Sequence, residues 1–112
     1  MKKINIVKRN TEFNNIIKIG KKFYSDIFFI YVIKNNGHNR FGISVSKKIG
    51  NAVVRNKYKR RIKDIIDKYK FNYDGLDIII ISRPKLKEYN YNYMKDNLNK
   101  LLNMIGENNE KK

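Results

Sequence analysis

The sequence predicts an α+β fold: a two-layer sandwich with one mixed sheet of about four strands and three helices, in the order α-β-β-(β)-α-β-α. Three observations carry it. Segments of helical period alternate with segments where β-branched and aromatic residues crowd without that period. Four consecutive isoleucines at 78–81, closed by Arg83-Pro84, form an apolar run that reads as a strand buried on both faces. The strands before and after a long cationic helix are natural parallel neighbours, because the helix between them is a sufficient crossover. At 112 residues the chain is read as one domain, 1–112, with a single core.

Residues 1–9 are basic and unpatterned, which suits a flexible arm. Asn10 is placed to cap a short helix, Glu12 sits well in its first turn, and Gly20 is placed to end it in left-handed conformation. Phe13, Ile16 and Ile17 share one face of that helix. Tyr24 to Ile33 follows as a strand with apolar residues on both sides, Phe29 and Tyr31 on one and Phe28 and Ile30 on the other. Asn35-Asn36-Gly37 is a turn signal and predicts a hairpin into the next strand, Arg40 to Ser46. There Phe41, Ile43 and Val45 point to a core, leaving Gly42, Ser44 and Ser46 as a small, polar surface open to close approach.

After the turn Lys47-Lys48-Ile49-Gly50, Asn51 caps a helix running to about Tyr69. Val54, Tyr58, Ile62, Ile65, Ile66 and Tyr69 make one stripe, and Asn56, Arg60 and Lys63 lie nearly opposite. The helix docks by one side and offers cations on the other. Leu76 to Ser82 is the isoleucine strand, stopped by Pro84. A last helix starts near Asn90, with Tyr91, Met94, Leu98, Leu101, Leu102 and Ile105 inward, Gly106 as its stop, and 107–112 as a frayed tail.

Composition narrows the partner. Twenty-six Lys and Arg against ten Asp and Glu give a net charge of +16, a field that favours polyanions. A lysine-rich mutational bias would not explain the scarcity of acids or the clustering of Arg at 55–61. Nucleic acid leads as partner; an anionic membrane surface competes less well, because the basic residues do not lie opposite a broad apolar helix face. The absence of cysteine excludes disulfides and thiolate metal sites. The longest apolar run, Ile27 to Ile33, is seven residues, far below the roughly 20 that span a bilayer. The basic N-terminus has no apolar stretch of signal-peptide length, so a cytoplasmic protein is expected.

Nothing in the chain reads as a catalytic group of its own. The single histidine, His38, falls at a predicted turn with no expected partner and reads as solvated. Asp64 and Asp67 are three apart and offer a conceivable metal pair, but Arg60 and Lys63 precede them by four, so helix ion pairs account for both. No phosphate-binding glycine loop or zinc-protease helix is present. The cationic helix is the better candidate: Arg suits bidentate phosphate recognition, Lys supplies a mobile charge, and Asn56 suits a base edge or 2′-hydroxyl.

The stretch Gly42-Ile-Ser-Val-Ser-Lys-Lys-Ile-Gly-Asn-Ala-Val-Val-Arg-Asn-Lys-Tyr-Lys-Arg-Arg-Ile-Lys63, with Asp77-Ile-Ile-Ile-Ile-Ser-Arg-Pro84, resembles the signature of the bacterial ribonuclease P protein subunit. The likeness covers about residues 8–105. It implies a ribosomal protein S5 domain 2-like fold with a left-handed βαβ crossover, against the usual hand. It also implies a subunit of a ribonucleoprotein endonuclease in which the RNA is the catalyst and magnesium ions held mainly by that RNA do the chemistry. The protein would bind that RNA and the 5′ leader of precursor tRNA, with no protein partner required. Carried over by position, Lys47, Lys48, Arg55, Asn56, Lys57, Lys59, Arg60 and Lys63 face the catalytic RNA, and Phe13, Ile17, Tyr31 and Ser44 belong to the leader cleft. Lys57 and Lys63 stand where the family commonly has arginine, and Ile17 where an aromatic is frequent. The competing reading is a non-catalytic ribosomal or DNA-binding protein using the same basic helix.

Overall fold

The structure, a computed structural model, describes residues 6, 7 and 10–110. The chain runs α1 (Asn10–Ile19), β1 (Lys21–Tyr24), β2 (Phe28–Lys34), β3 (Arg40–Val45), α2 (Ala52–Lys68), β4 (Leu76–Ser82) and α3 (Tyr91–Glu110). Short 3-10 turns at Lys47–Ile49 and Pro84–Glu88 lead into α2 and α3. The sheet order is β1-β2-β4-β3. β3 and β4 are parallel neighbours, joined through α2 as its length predicts, while β1–β2 and β2–β4 are antiparallel.

Two expectations about strands fail. The segment Tyr24 to Ile33 is not one strand: Ser25 Oγ accepts from the amides of Ile27 and Phe28, and the resulting turn folds β1 back on β2. The hairpin expected at Asn35-Asn36-Gly37 does not form a β2–β3 pair, because β4 inserts between them. The turn chemistry is present: Asn35 Oδ1 accepts from Gly37 N at 2.7 Å. It reverses the chain but does not choose the neighbour. β4, apolar on both faces, takes the central position where both faces are covered.

Each face of the sheet has its own core. α2 and α3 cover one, burying Phe28, Ile30, Ile78 and Ile80 against Ile62, Ile65, Leu98 and Leu102. α1 covers part of the other, where Ile16 packs on Ile79 and Val7, with Phe13, Ile17, Tyr31, Ile33 and Ile81 around them. Asn51 Oδ1 accepts from Val54 N at 3.0 Å and starts α2, and Asn90 Oδ1 does the same for Tyr93 in α3.

Both glycines expected to stop helices act differently. Gly20 ends α1 without left-handed backbone; a Cβ there would lie 2.5 Å from Ile16 O. Gly106 does not stop α3, which continues to Glu110; it is where the ring of Tyr73 rests on the helix. The tail expected to fray from 107 is therefore helical to Glu110. Most of the arm expected at 1–9 lies outside the described residues. Ile6 and Val7 are not loose: Ile6 bridges Phe41, and Val7 N donates to Phe41 O at 2.9 Å, so the chain lies along the outer edge of β3.

Candidate nucleic-acid interface

Helical period places the cations of α2 as the sequence suggests. Asn56, Lys57, Arg60 and Lys63 are exposed, while Ile62, Ile65 and Ile66 anchor the opposite side. Lys47 and Lys48, also exposed, stand in the 3-10 turn that delivers α2; Ser46 Oγ accepts from Lys48 N and fixes that turn. Arg55 and Lys59 are half-buried, and Arg55 Nε is sealed from solvent with no hydrogen-bond partner among the described residues. These eight residues fall within the single segment 47–63, and the exposed ones among them leave their cations open to solvent. Arg61, which the sequence reading left unassigned, lies half-buried with its guanidinium 5.8 Å from the Tyr58 ring centre.

On the other sheet face Phe13, Ile17 and Tyr31 share one apolar cluster, and Ser44 lies one row away beside Ile81. Pairing registers align Tyr24, Phe29, Ile81 and Ser44 in one row, and Lys22, Tyr31, Ile79 and Gly42 in the next. Gly42 is not an open surface as expected. It is buried under α1, and a Cβ on it would stand 2.9 Å from the Phe13 ring and 2.6 Å from Ile79 Cδ1. The absent side chain is what lets Phe13 settle onto the sheet. The row from Tyr24 to Ser44 stays more open, and its Phe29 ring carries Lys22 Nζ at 4.3 Å and the Arg83 guanidinium at 4.5 Å. Sequence reasoning missed Lys22 and Arg83, because only the β1–β2–β4 register brings positions so far apart onto one ring.

α1 is fixed over the sheet by an ionic network that sequence reasoning also missed. Arg40 donates to both carboxylate oxygens of Asp77, at 2.8 and 2.7 Å, and to Glu12 of α1 at 2.9 Å. Asn35 Nδ2 donates to Asp77 at 2.7 Å. Burial pushes the Asp77 carboxyl up, but the bonds from Arg40 and Asn35 outweigh it and hold it below its ordinary value. The bond to Asp77, then that to Glu12, raises Arg40 further above its already basic range.

Two further acids, Asp64 and Asp74, are engaged in structure. Asp64 takes Lys68 at 3.1 Å rather than Arg60, and also accepts from the Tyr91 hydroxyl; the bond from Lys68, then that from Tyr91, lowers its carboxyl. His38 has a partner after all: its Nδ1 lies 3.2 Å from Asp74 Oδ2, and both stay exposed. Asp74 also caps the amides of Asn39 and Gly75. Among the described residues no three potential metal-binding side chains converge. Asp64 and Asp77 already turn their oxygens to partners in place, Asp64 to Lys68 and the Tyr91 hydroxyl, Asp77 to Arg40 and the Asn35 amide.

A family model described as Ribonuclease P matches residues 1–106. The chain belongs to the ribonuclease P protein family. It is 45% identical over 92 residues to the ribonuclease P protein component of Staphylococcus epidermidis, covering 80% of each chain. It is 40% identical over 107 residues to that of Streptococcus agalactiae, covering 95% of this chain and 98% of the other. Among solved structures, the Staphylococcus aureus RNase P protein superposes with a TM-score of 0.84 at 36% identity, covering 90% and 94% of the two chains. The RNase P protein of Thermotoga maritima gives 0.76 at 31%, covering 86% and 93%. Family membership makes the chain a protein subunit of an endoribonuclease of tRNA processing and implies partnership with the ribonuclease P RNA. The ribosomal or DNA-binding alternative is not favoured. No helix among the described residues is long and apolar enough to cross a membrane.

Proposed function

We propose that this chain grips the ribonuclease P RNA with Lys47, Lys48 and the cationic side of α2, and receives the 5′ leader of precursor tRNA in the cleft between α1 and the sheet. The observation that carries the reading is the separation of two surfaces of different chemistry on one small body. One offers exposed cations on a rigid helix, suited to folded-RNA phosphates. The other offers half-buried Phe13, Ile17 and Tyr31 beside small Ser44, suited to a single strand with its bases splayed.

The RNA is the catalyst in this reading, and the magnesium ions sit mainly on it; the residues of this chain bind and orient. With a net charge of +16, the protein lowers the repulsion between catalytic RNA and leader, so that less magnesium suffices for cleavage. No other protein is needed for that task, and the reaction belongs to the cytoplasm. The test is reconstitution: adding the protein to the RNA at low magnesium should raise the rate of 5′ cleavage of precursor tRNA. An unchanged rate would end the proposal. Cleavage by the protein without RNA, abolished by Asp64→Ala, would point instead to an autonomous nuclease.

A further inference from the structure

We infer that the leader track does not stop at the α1 cleft but continues across the edge strand β1, where Tyr24 is a stacking platform and Lys22 and Arg83 are phosphate clamps for a nucleotide further upstream. The inference rests on the leader-binding reading above and extends it to residues outside the cleft. Tyr24 is 66% exposed, more than any other Tyr or Phe among the described residues, and stands in register with Phe29, Ile81 and Ser44 on the open row of the sheet. An exposed ring at the end of a row that leads out of the cleft is placed for a base, because every base presents a π face.

The cations beside it are held in position. Lys22 lies 4.3 Å from the Phe29 ring centre and 5.7 Å from that of Tyr24, so it bridges the two rings. Arg83 lies 4.5 Å from Phe29 and donates through Nη1 to Ser25 O at 2.7 Å. Phe29 thus carries both cations at close range and serves as their anchor, whereas among the described cations only Lys22, at 5.7 Å, lies over the Tyr24 ring, which stays largely exposed. The one acid near the turn, Asp26, accepts from the Tyr93 hydroxyl at 2.9 Å and from Asn97, which turns its charge toward α3. Aromatic platform and fixed cations in alternation match a single-stranded nucleic acid, with phosphates on Lys22 and Arg83 and a base on Tyr24. This row also supplies stacking surface in a chain whose cleft has Ile17 in place of a ring.

The experiment uses holoenzyme and a series of precursor tRNAs whose leaders are shortened one nucleotide at a time, with affinity measured for each. Tyr24→Ala should leave the shortest leaders unaffected and lose about tenfold in affinity once the leader is long enough to reach β1, and Tyr24→Phe should restore it. Tyr31→Ala is measured in parallel. Loss for Tyr31→Ala without loss for Tyr24→Ala overturns the extension while the cleft stands. No leader-dependent loss for either overturns the cleft reading itself. Equal loss for Tyr24→Ala at all leader lengths, or with leaderless tRNA, also overturns the extension, since it would report a general effect on the fold.

Discussion

The two faces of this protein treat charge in opposite ways. Around α2, Arg60, Lys63, Lys57, Lys47 and Lys48 stand in solvent, while Asp64 on the same helix pairs with Lys68. On the α1 side, Arg40 is drawn into bonds with Asp77 and Glu12, and Asp77 is almost fully buried. The first arrangement adds little to folding and leaves its cations available to a partner. The second contributes nothing directly to a ligand but decides where α1, and with it Phe13, lies. Exposed charge stays free for a partner; buried charge positions.

The largest expected effect comes from breaking the buried side. Arg40→Ala leaves Asp77 enclosed without its cation and should cost about 3–5 kcal/mol in urea unfolding. Arg40→Met combined with Asp77→Leu should recover most of it, because no charge is then stranded. The pH dependence has a definite sign. The folded-state value of Asp77 is lowered, so its contribution is present above the ordinary carboxylate range, near pH 4, and is lost as pH falls through the lowered value. Arg40→Ala should remove that acid-side loss. A cost below about 1 kcal/mol would place Arg40 with the surface pairs and erase the contrast between the faces.

A smaller effect sharpens the same contrast. Gly42→Ala puts a methyl 2.6 Å from Ile79 Cδ1 and 2.9 Å from the Phe13 ring, so both must give way. Thermal unfolding should report about 1–3 kcal/mol of overpacking. The cost should couple to Phe13→Leu in a double-mutant cycle, because both changes act on one contact. Additive costs would mean that Phe13 yields freely and that the cleft is not set by β3.

These contacts explain which parts of the molecule were legible in the sequence. A helix carries its own faces, so the inward stripe from Val54 to Tyr69 and the outward Asn56, Arg60 and Lys63 follow from spacing alone. The parallel β3–β4 pair was legible because α2 is a crossover of adequate length. Strand neighbours were not: Asn35-Asn36-Gly37 encodes a reversal, and nothing local says that β4 will enter between β2 and β3. For the same reason Arg40 and Asp77 gave no sign of pairing, and Gly42 read as open although α1 covers it. Phe13, Ile17, Tyr31 and Ser44 came from the family likeness, whereas Lys22 and Arg83 needed the register of three strands.

The smallest effect on stability, and the cleanest on binding, belongs to Arg60→Ala. Arg60 is exposed on the side of α2 away from Ile62 and Ile66, so unfolding free energy should change by no more than about 0.5 kcal/mol. Affinity for the ribonuclease P RNA should nevertheless fall, and the log–log dependence of affinity on salt should flatten by about one unit or less, since one phosphate contact releases about one counterion. An unchanged slope would show that this face touches no phosphate. A large loss of stability with an unchanged slope would invert the comparison, making Arg60 a structural cation like Arg40. The pair of measurements decides because a cation that binds RNA moves the slope and not the fold, while one that positions α1 moves the fold and not the slope.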